Sequence, residues 1–226
     1  FPASRLTVPG DTAARLPLSL PTAAQLSARV NFSDGTAREL SLDSRLSFAI
    51  GASSLGCVTM QGSQLRVSAG ANCTAAAVTA SVFGVSASAS APLVRFVGLK
   101  LSLFPHPPFP GSTGAPVAAL RQVACTGQYQ RAQLRVSAEL SDGSHAALTA
   151  YSSIAVQAPA LPVVALAGGG VVVPQRAGVA FLRASFHGES ASLDFPVMDE
   201  AVRAIGLALT LPLSSSVGLL SFDAIA

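Results

Sequence analysis

The sequence predicts an all-β protein made of two tandem β-sandwiches. Three observations lead to this fold: a composition rich in apolar and turn-forming residues, short segments in which apolar and polar residues alternate, and an internal repeat. The chain has 226 residues, of which 50% are hydrophobic and 11% charged, with 19 glycines and 15 prolines. Such a composition is too apolar for a disordered chain and suits many short strands separated by turns.

A sequence near the start of the chain recurs near its middle. The segment QLSARVNFSDGTARELS (Gln25–Ser41) is matched by QLRVSAELSDGSHAALT (Gln133–Thr149). The Asp34-Gly35 and Asp142-Gly143 pairs in these segments lie 142 − 34 = 108 residues apart. This spacing is the size of one small domain, so the repeat predicts two copies of one module.

Both segments alternate with the period of a β-strand. One set of side chains faces inward and the other faces solvent, and Asp-Gly then supplies a tight reversal because glycine accepts a positive φ. The residues predicted to face inward are Leu26, Ala28, Val30 and Phe32 in the first copy, and Leu134, Val136, Ala138 and Leu140 in the second.

The correspondence continues along the chain. At the offset of 108, Leu46 aligns with Ile154 and Phe48 with Val156, whereas Gly84 and the later glycine at 188 align at 188 − 84 = 104. Strands about ten residues apart with turns between them are typical of sandwiches. We therefore predict one module over residues 1–97 and a second over residues 98–205.

The remaining residues, 206–226, are predicted to begin a third module or to form a C-terminal strand. LALTLP (Leu207–Pro212) resembles LKLSLFP (Leu99–Pro105), where the second copy begins. The connections VRFVG (Val94–Gly98) and VRAIG (Val202–Gly206) are apolar. Apolar connections predict stiff, partly buried junctions between the modules.

Both asparagines of the chain, Asn31 and Asn72, stand in the N-glycosylation pattern, as Asn-Phe-Ser and Asn-Cys-Thr. The strand alternation places Asn31 toward solvent, which allows a glycan there. The alternative is an unmodified, exposed asparagine on a strand edge. Glycosylation at both positions predicts an extracellular or cell-surface protein that passes through the secretory pathway.

Three cysteines leave one unpaired if any two form a disulfide. Cys57 and Cys73 lie sixteen residues apart in the first copy, with a predicted hairpin around Gln61-Gly62-Ser63 between them. We predict a disulfide between these two, while Cys125 pairs outside the chain or across the module boundary. The alternative is three buried thiols in a cytosolic protein, which the two glycosylation patterns argue against. No zinc-binding spacing is present.

The sequence contains no recognisable catalytic, cofactor or metal site, and we expect no enzyme. His106, His145 and His187 are predicted to be exposed loop residues, and Gly168–Gly170 lacks the residues of a phosphate loop and indicates a turn. Asp194 and Asp199-Glu200 are too few carboxylates for calcium. The net charge of +3 comes from scattered arginines, which excludes a basic face for nucleic acid.

Several of these motifs resemble a known family of modules. FSDGT (32–36), LSDGS (140–144) and GGGVVVPQRAGVAFLRAS (168–185) are similar to bacterial-type immunoglobulin-like modules of the group-2, invasin and intimin type. ACTGQYQRAQLRVSAEL (124–140) and VVALAGGGVVVPQRAGVAFLRAS (163–185) also resemble the ectodomain of the transmembrane-protein-132 family. These resemblances imply immunoglobulin-like sandwiches in extracellular adhesion. The Ala- and Pro-rich composition resembles a green-algal surface protein, such as a ciliary mastigoneme component or a gamete adhesin.

The sequence thus predicts an extracellular pair of immunoglobulin-like modules that mediates cell-surface adhesion or protein–protein interaction without catalysis. The alternative is a structural subunit of an extracellular filament or ciliary assembly. Expected partners are other cell-surface or filament proteins, including copies of the same chain. No run of about 20 apolar residues is present, so any membrane attachment is expected through a segment absent from this chain.

Overall fold

The computed structural model describes residues 5–18, 20–41, 43–108, 114–157 and 162–203, which form strands and short 3-10 turns with no α-helix. The all-β prediction is therefore confirmed. The strands of the first half are β1 (Leu6–Thr7), β2 (Ala23–Gln25), β3 (Arg29–Asn31), β4 (Ala37–Glu39), β5 (Ser47–Ile50), β6 (Val58–Gln61), β7 (Gln64–Val67), β8 (Ala75–Val82) and β9 (Val85–Val94).

The second half contains a further nine strands. They are β10 (Phe96–His106), β11 (Leu120–Val123), β12 (Arg131–Leu140), β13 (His145–Ala147), β14 (Ser153–Val156), β15 (Val164–Ala167), β16 (Val171–Pro174), β17 (Gly178–Phe186) and β18 (Glu189–Val202). We call β1–β9 the first sandwich and β10–β18 the second sandwich.

Each half is built on two main sheets packed face to face. In the second sandwich, one sheet has the order β10-β12-β16-β15 and the other the order β11-β18-β17-β14. With strands lettered in chain order, these are the A-B-E-D sheet and the C-F-G sheet of an immunoglobulin sandwich, the latter extended by the parallel edge strand β11. The first sandwich has the corresponding sheets β2-β7-β6 and β1-β9-β8-β5, and β3 and β4 form a separate two-stranded sheet.

The repeated Asp-Gly turns have the same geometry in both sandwiches. Gly35 and Gly143 adopt φ values of 82° and 78°, the left-handed conformation that favours glycine. The N–H of Phe32 donates to the carbonyl of Thr36 at 2.8 Å, and Leu140 donates to Ser144 at 3.0 Å. The predicted reversals are confirmed at both positions.

Two further turns lie where the sequence predicted them, but the predicted alignment of strand C between the two copies differs from the structure. Gly62 and the following Ser63 connect β6 to β7, and Gly168–Gly170 forms the turn between β15 and β16. In strand C, however, Phe48 pairs with Ala80 while Ile154 pairs with Ala184, which is the position equivalent to Ala80.

The predicted alignment of strand C is therefore wrong by two residues. Phe48 corresponds to Ile154 at an offset of 154 − 48 = 106, and not to Val156. The offset between the copies falls from 108 to 104 because the second copy is four residues shorter. Two of these four residues are missing before strand C, and the other two after it. Leu46 is therefore not the residue equivalent to Ile154, as the sequence alignment had predicted.

Two buried clusters form the cores. The cluster of the first sandwich includes Leu6, Leu65 and Leu93, and that of the second includes Leu134, Leu148 and Leu182. The second cluster also contains Ala13 and residues near it from the first half of the chain. None of the described residues forms a helix long and apolar enough to cross a membrane.

Candidate functional site

The two predicted glycosylation sites are both exposed. Asn31 is the last residue of β3, and Asn72 follows β7 in the loop that leads to β8. Asn72 also lines a small cleft at the contact between the two sandwiches, beside Arg95 and Asp142. Exposure satisfies the steric requirement for a glycan, and glycosylation itself stays a prediction.

The structure joins Cys57 to Cys73 by a disulfide, with the two Cα atoms 6.1 Å apart. The bond links the loop before β6 to the loop before β8, so it ties the two sheets of the first sandwich together. Cys57 is buried, whereas Cys125 is a free, exposed cysteine in the turn after β11. The second sandwich has no cysteine at the equivalent positions.

The three histidines do not converge on one site. His145 and His187 are exposed, His145 at the start of β13 and His187 in the turn between β17 and β18. His106, predicted to be an exposed loop residue, instead ends β10 and is half-buried. That prediction is wrong because strand A continues into the proline-rich segment, where His106 pairs with Arg131.

The carboxylates near the end of the second sandwich have partners. Glu200 forms an ion pair with Arg121 at 2.6 Å, and Asp199 accepts a hydrogen bond from the hydroxyl of Tyr129. The hydrogen bond to Asp199 raises the pKa of the Tyr129 hydroxyl, because it is lost on deprotonation. Within the described ranges, no group of three or more His, Cys, Asp or Glu side chains could hold a metal ion.

The junction between the sandwiches is short and buried. Only Arg95 separates β9 from β10. The connection after β1, which contains a 3-10 turn at Thr12–Arg15, contributes Ala13, Leu16 and Leu20 to the buried cluster of the second sandwich. Apolar burial of this kind opposes free rotation between the two halves, because rotation would return these side chains to water.

Hydrogen bonds reinforce the same junction. The turn at Ser141–Ser144 is hydrogen-bonded to the Arg95 backbone and to the Arg5 guanidinium. The N–H of Ser141 donates to the Arg95 carbonyl at 2.9 Å, and the N–H of Arg95 donates to the Ser141 hydroxyl at 3.0 Å. Arg5 donates to Asp142 at 3.1 Å and to Ser144 at 2.7 Å. The Asp11 carboxylate accepts the N–H of Phe96 at 3.0 Å, which fixes the first residue of β10 to the connection after β1.

The carboxyl group of Asp142 is stabilised in its charged form. Its pKa is lowered first by hydrogen bonds from Ser144, and further by the hydrogen bond and charge of Arg5. Asp34 occupies the equivalent turn of the first sandwich, where Thr36 lowers its pKa in the same way. No basic side chain among the described residues takes the place of Arg5 beside Asp34.

The first sandwich has a groove where the second is closed. Inward-facing Leu26 is buried, but Val30 is only half-buried and Phe32 is 44% exposed. At the equivalent positions of the second sandwich, Ala138 and Leu140 are 0% and 3% exposed. The inward pattern predicted for both copies is thus confirmed in the second sandwich and holds only in part in the first.

Strand A accounts for this difference. In the second sandwich, β10 pairs with the whole of β12, from Phe96 opposite Leu140 to His106 opposite Arg131. In the first sandwich, β2 pairs with β7 and β3 pairs with β4, and no described strand pairs with their other edge. That unpaired edge and the apolar surface beside it form what we call the open groove.

The open groove has a volume of about 420 Å³. Its floor is apolar, since Phe48, Val78 and Val82 line it from β5 and β8. On β9, Ala87 and Ala89 are exposed, although their cross-strand pairing places them on the inner face with Ala80 and Val78. The remaining lining residues are Leu26, Ser27, Ala28, Arg29, Val30, Asn31, Leu46, Ala80, Val85, Ser86 and Ser88.

Sequence reasoning missed both the groove and the connection at the junction. The sequence of the first copy does not indicate the groove, because its strand B alternates in the same way as the covered strand B of the second copy. The connection carried a weak signal: Ala13, Leu16 and Leu20 recur at intervals of three and four residues, which is typical of a one-sided apolar face.

No family model matches the chain, and no curated protein matches it by sequence. Neither result supports the resemblance to the transmembrane-protein-132 family or to green-algal surface proteins, which stays a prediction. The immunoglobulin-like assignment rests on the strand order described above.

Solved structures of tandem β-domains are similar to the chain at low identity. Domains 5–6 of the S-layer protein SbsC are 11% identical, with 88% of this chain and 94% of that chain covered and a TM-score of 0.33. Human protocadherin-24 EC1-2 is 8% identical, with 88% and 95% covered and a TM-score of 0.30. The titin I-band fragment I67–I69 is 12% identical, with 86% and 62% covered and a TM-score of 0.25. At these scores the similarities carry no argument about function.

Proposed function

We propose that the chain is a non-catalytic, extracellular and glycosylated pair of immunoglobulin-like modules that acts in cell-surface adhesion or assembly. The single observation that carries this proposal is the junction. One residue separates the sandwiches, and apolar side chains of the first are buried with the core of the second. A rod of fixed geometry holds a binding surface at a set distance, which is what an adhesive or assembling module requires.

The cysteines and asparagines support an extracellular location. The first sandwich contains a disulfide between Cys57 and Cys73, and disulfides persist in oxidising compartments such as the extracellular space. Both glycosylation patterns fall on exposed asparagines. The expected partners are other cell-surface or filament proteins.

Intact mass of the natively produced protein tests the location. We expect sugar on Asn31 or Asn72, removed by a glycosidase, and a gain of about two hydrogens when the one disulfide is reduced. A bare and fully reduced chain would overturn the extracellular part of the proposal.

Solution scattering tests the mechanical part. A rigid rod gives one elongated particle whose scattering fits the two sandwiches in fixed relation. Scattering data that fit only two independently moving sandwiches would contradict the fixed spacing on which the proposal depends. A variant with Leu16→Asp provides the matched comparison, because a charge at this buried position (4% exposed) should loosen the junction.

The second candidate function is a filament subunit. Among the residues that the structure describes, no strand pairs with the other edge of β2 and β3, and an exposed sheet edge is a template for pairing with another chain. Concentration-dependent self-association supports this candidate, whereas a monomer that binds a heterologous receptor supports adhesion.

A further inference from the structure

A polar cleft, which we call the junction cleft, lies between the two sandwiches beside the glycosylation pattern at Asn72. It has a volume of about 150 Å³. Pockets that bind free small molecules usually measure ~300 Å³ or more, so this cleft suits one sugar ring and not a larger ligand. It is lined from both halves and from the residue that joins them, by Asn72, Cys73, Thr74, Pro92, Leu93, Arg95, Ser141 and Asp142.

The lining of the junction cleft suits a sugar. Pro92 and Leu93 supply an apolar wall, against which the C–H face of a ring can pack. Arg95, Ser141 and Asp142 supply a guanidinium, a hydroxyl and a carboxylate, which can donate to and accept from the hydroxyl groups of the ring. An apolar surface with a few placed polar groups is the usual chemistry of a ligand site.

The polar groups of the cleft are held in place by the protein itself. The Arg95 guanidinium donates to the carbonyl of Ala71, and the Ser141 hydroxyl accepts the Arg95 N–H at 3.0 Å. Asp142 is fixed by the Arg5 guanidinium, while its side chain stays partly exposed. Groups that are already ordered lose little conformational entropy on binding, so a small number of contacts can hold a ligand.

Asn72 is held beside the cleft by its neighbours. Cys73 is fixed by the disulfide, and its N–H donates to the Cys57 sulfur at 3.1 Å. The carbonyl of Thr74 accepts the Leu93 N–H at 2.9 Å. The asparagine is exposed, so a sugar can be attached to it. Because the backbone on its C-terminal side is fixed, that sugar begins next to the second sandwich.

The module does not need this asparagine in order to fold. At the offset of 104, residues 72–74 align with residues 176–178, which read Arg-Ala-Gly. The second copy therefore has neither the glycosylation pattern nor the cysteine at this place. A residue that one copy has and the other folds without is open to a separate role at the junction.

We propose that the first ring of an N-linked glycan on Asn72, an N-acetylated amino sugar, occupies the junction cleft and contacts Ser141 and Asp142 of the second sandwich. The inference rests on the glycosylation proposed above and gives it a role: the sugar bridges the two sandwiches and holds the junction closed. This bridge adds to the Arg5–Asp142 ion pair, because opening the junction also breaks the contacts of the sugar.

Covalent attachment allows a cleft of this size to be filled. A ligand joined through a short linker acts at an effective concentration of ~1 mM or more. A site whose Kd for the free sugar is only about 1 mM is then at least half occupied. The attached ring therefore fills a cleft that is too small to retain a free sugar.

A sugar ring on Asn31 cannot make this contact. Asn31 lines the open groove together with Val85, the first residue of β9. The junction lies at the other end of β9, at Val94, and the ten residues of this strand span about 33 Å. The two glycosylation patterns thus provide their own comparison, one beside the second sandwich and one away from it.

The amide of Ser141 reports on the junction. Its N–H donates to the Arg95 carbonyl at 2.9 Å, so it exchanges with solvent when the junction opens. In natively produced protein, we expect Thr74→Ala, which removes the sugar and leaves Asn72 in place, to accelerate this exchange by about tenfold or more. Thr74→Ser is the matched control, because it keeps the glycosylation pattern and should leave the rate unchanged.

Two further controls separate the sugar from other causes. Ser33→Ala removes the pattern at Asn31 and should not change exchange at Ser141. In protein produced without glycosylation, Thr74→Ala and the unaltered chain should exchange at the same rate. A difference between them as large as that in the glycosylated protein would assign the effect to the threonine side chain and refute the inference.

The outcome also separates this inference from the proposed function. Sugar on Asn72 with exchange at Ser141 unaffected by Thr74→Ala would overturn the inference alone and leave the proposed function intact. A bare Asn72 in the natively produced protein would overturn the inference together with glycosylation at that residue. Solution scattering of the same sample then still decides whether the junction is rigid.

Trimming distinguishes the first ring from the rest of the glycan. An endoglycosidase that leaves only the first ring on Asn72 should keep exchange at Ser141 slow, whereas complete removal should accelerate it. Faster exchange after trimming alone would mean that outer sugars shield the junction, which contradicts a site in the cleft. NMR of the trimmed protein should show nuclear Overhauser effects between the ring and Ser141 or Asp142. Effects to the first sandwich alone would rule out the bridge.

Discussion

Strand B of the first sandwich and strand B of the second carry the same sequence pattern and have different surroundings. β12 is continuous over ten residues, and its inward side chains are buried. The corresponding residues of the first sandwich are divided between β2 and β3, and exposure increases along them from Leu26 to Phe32. The contacts on the other edge are alike, since Ala28 donates to Ser41 at 3.0 Å and Val136 to Thr149 at 2.9 Å.

The comparison shows that burial of strand B depends on strand A more than on strand B's own sequence. β10 supplies both the hydrogen-bond partner and the leucines that cover the inner face. Where no described strand takes that place, the same alternating residues lie partly in water. The first sandwich also carries the disulfide, which constrains the half with fewer buried apolar contacts.

The largest expected difference between the two halves comes from truncating equivalent residues. Leu140→Ala should lower the free energy of unfolding by about 2–5 kcal/mol, because it leaves a cavity in a closed core. Phe32→Ala should cost less than about 0.5 kcal/mol, because its side chain is already partly in water. Thermal unfolding at concentrations where the chain is monomeric measures both. Equal costs would contradict the exposed state of Phe32.

Removal of the disulfide should affect one half only. The double substitution of Cys57 and Cys73 by alanine should destabilise the first sandwich by about 3 kcal/mol, since it frees a loop of sixteen residues in the unfolded chain. Hydrogen exchange should then accelerate in β8 and β9 and remain slow in β17. Cys125→Ala serves as the control and should alter neither half. Faster exchange in both halves would mean that the sandwiches unfold together.

A smaller effect is expected at the junction. Arg5→Ala removes a partly exposed ion pair with Asp142 and should lower stability by up to about 1 kcal/mol. The loss should shrink at high salt, because screening weakens exposed charge pairs. Arg45→Ala, which breaks an exposed ion pair within the first sandwich, is the matched control and should not loosen the junction. A salt-independent loss would point to packing instead.

The smallest effects concern the acid range. The pKa of Asp142 is lowered in the folded state, so its contribution to stability is complete above its unfolded pKa of about 3.9 and is lost as pH falls through the lower, folded pKa. NMR titration should show Ser144→Ala returning the pKa of Asp142 toward its ordinary value more than Arg5→Ala does, because Ser144 is the larger cause. The reverse order would show that the charge of Arg5 dominates.

Local patterns predicted much of the fold. Alternation identified the inward residues, and Asp-Gly and Gly62 marked turns that the structure contains. Exposure of Phe32 could not be predicted, since it depends on whether another strand covers strand B, and strand B's own residues do not show this. The alignment of strand C was wrong because the deletion lies among residues without a pattern. The junction at Ala13 and Leu16 required knowledge of which surface lies opposite.

The single residue between β9 and β10 has a mechanical consequence. A pull along the rod passes from β9 through Arg95 straight into the first pair of the β10–β12 ladder, which runs along the direction of pull. The ladder is then loaded in shear, and its ten pairs share the load instead of opening one after another. Tension along the chain therefore enters the second sandwich at Arg95. The β10–β12 ladder, the longest antiparallel ladder among the described strands, carries it.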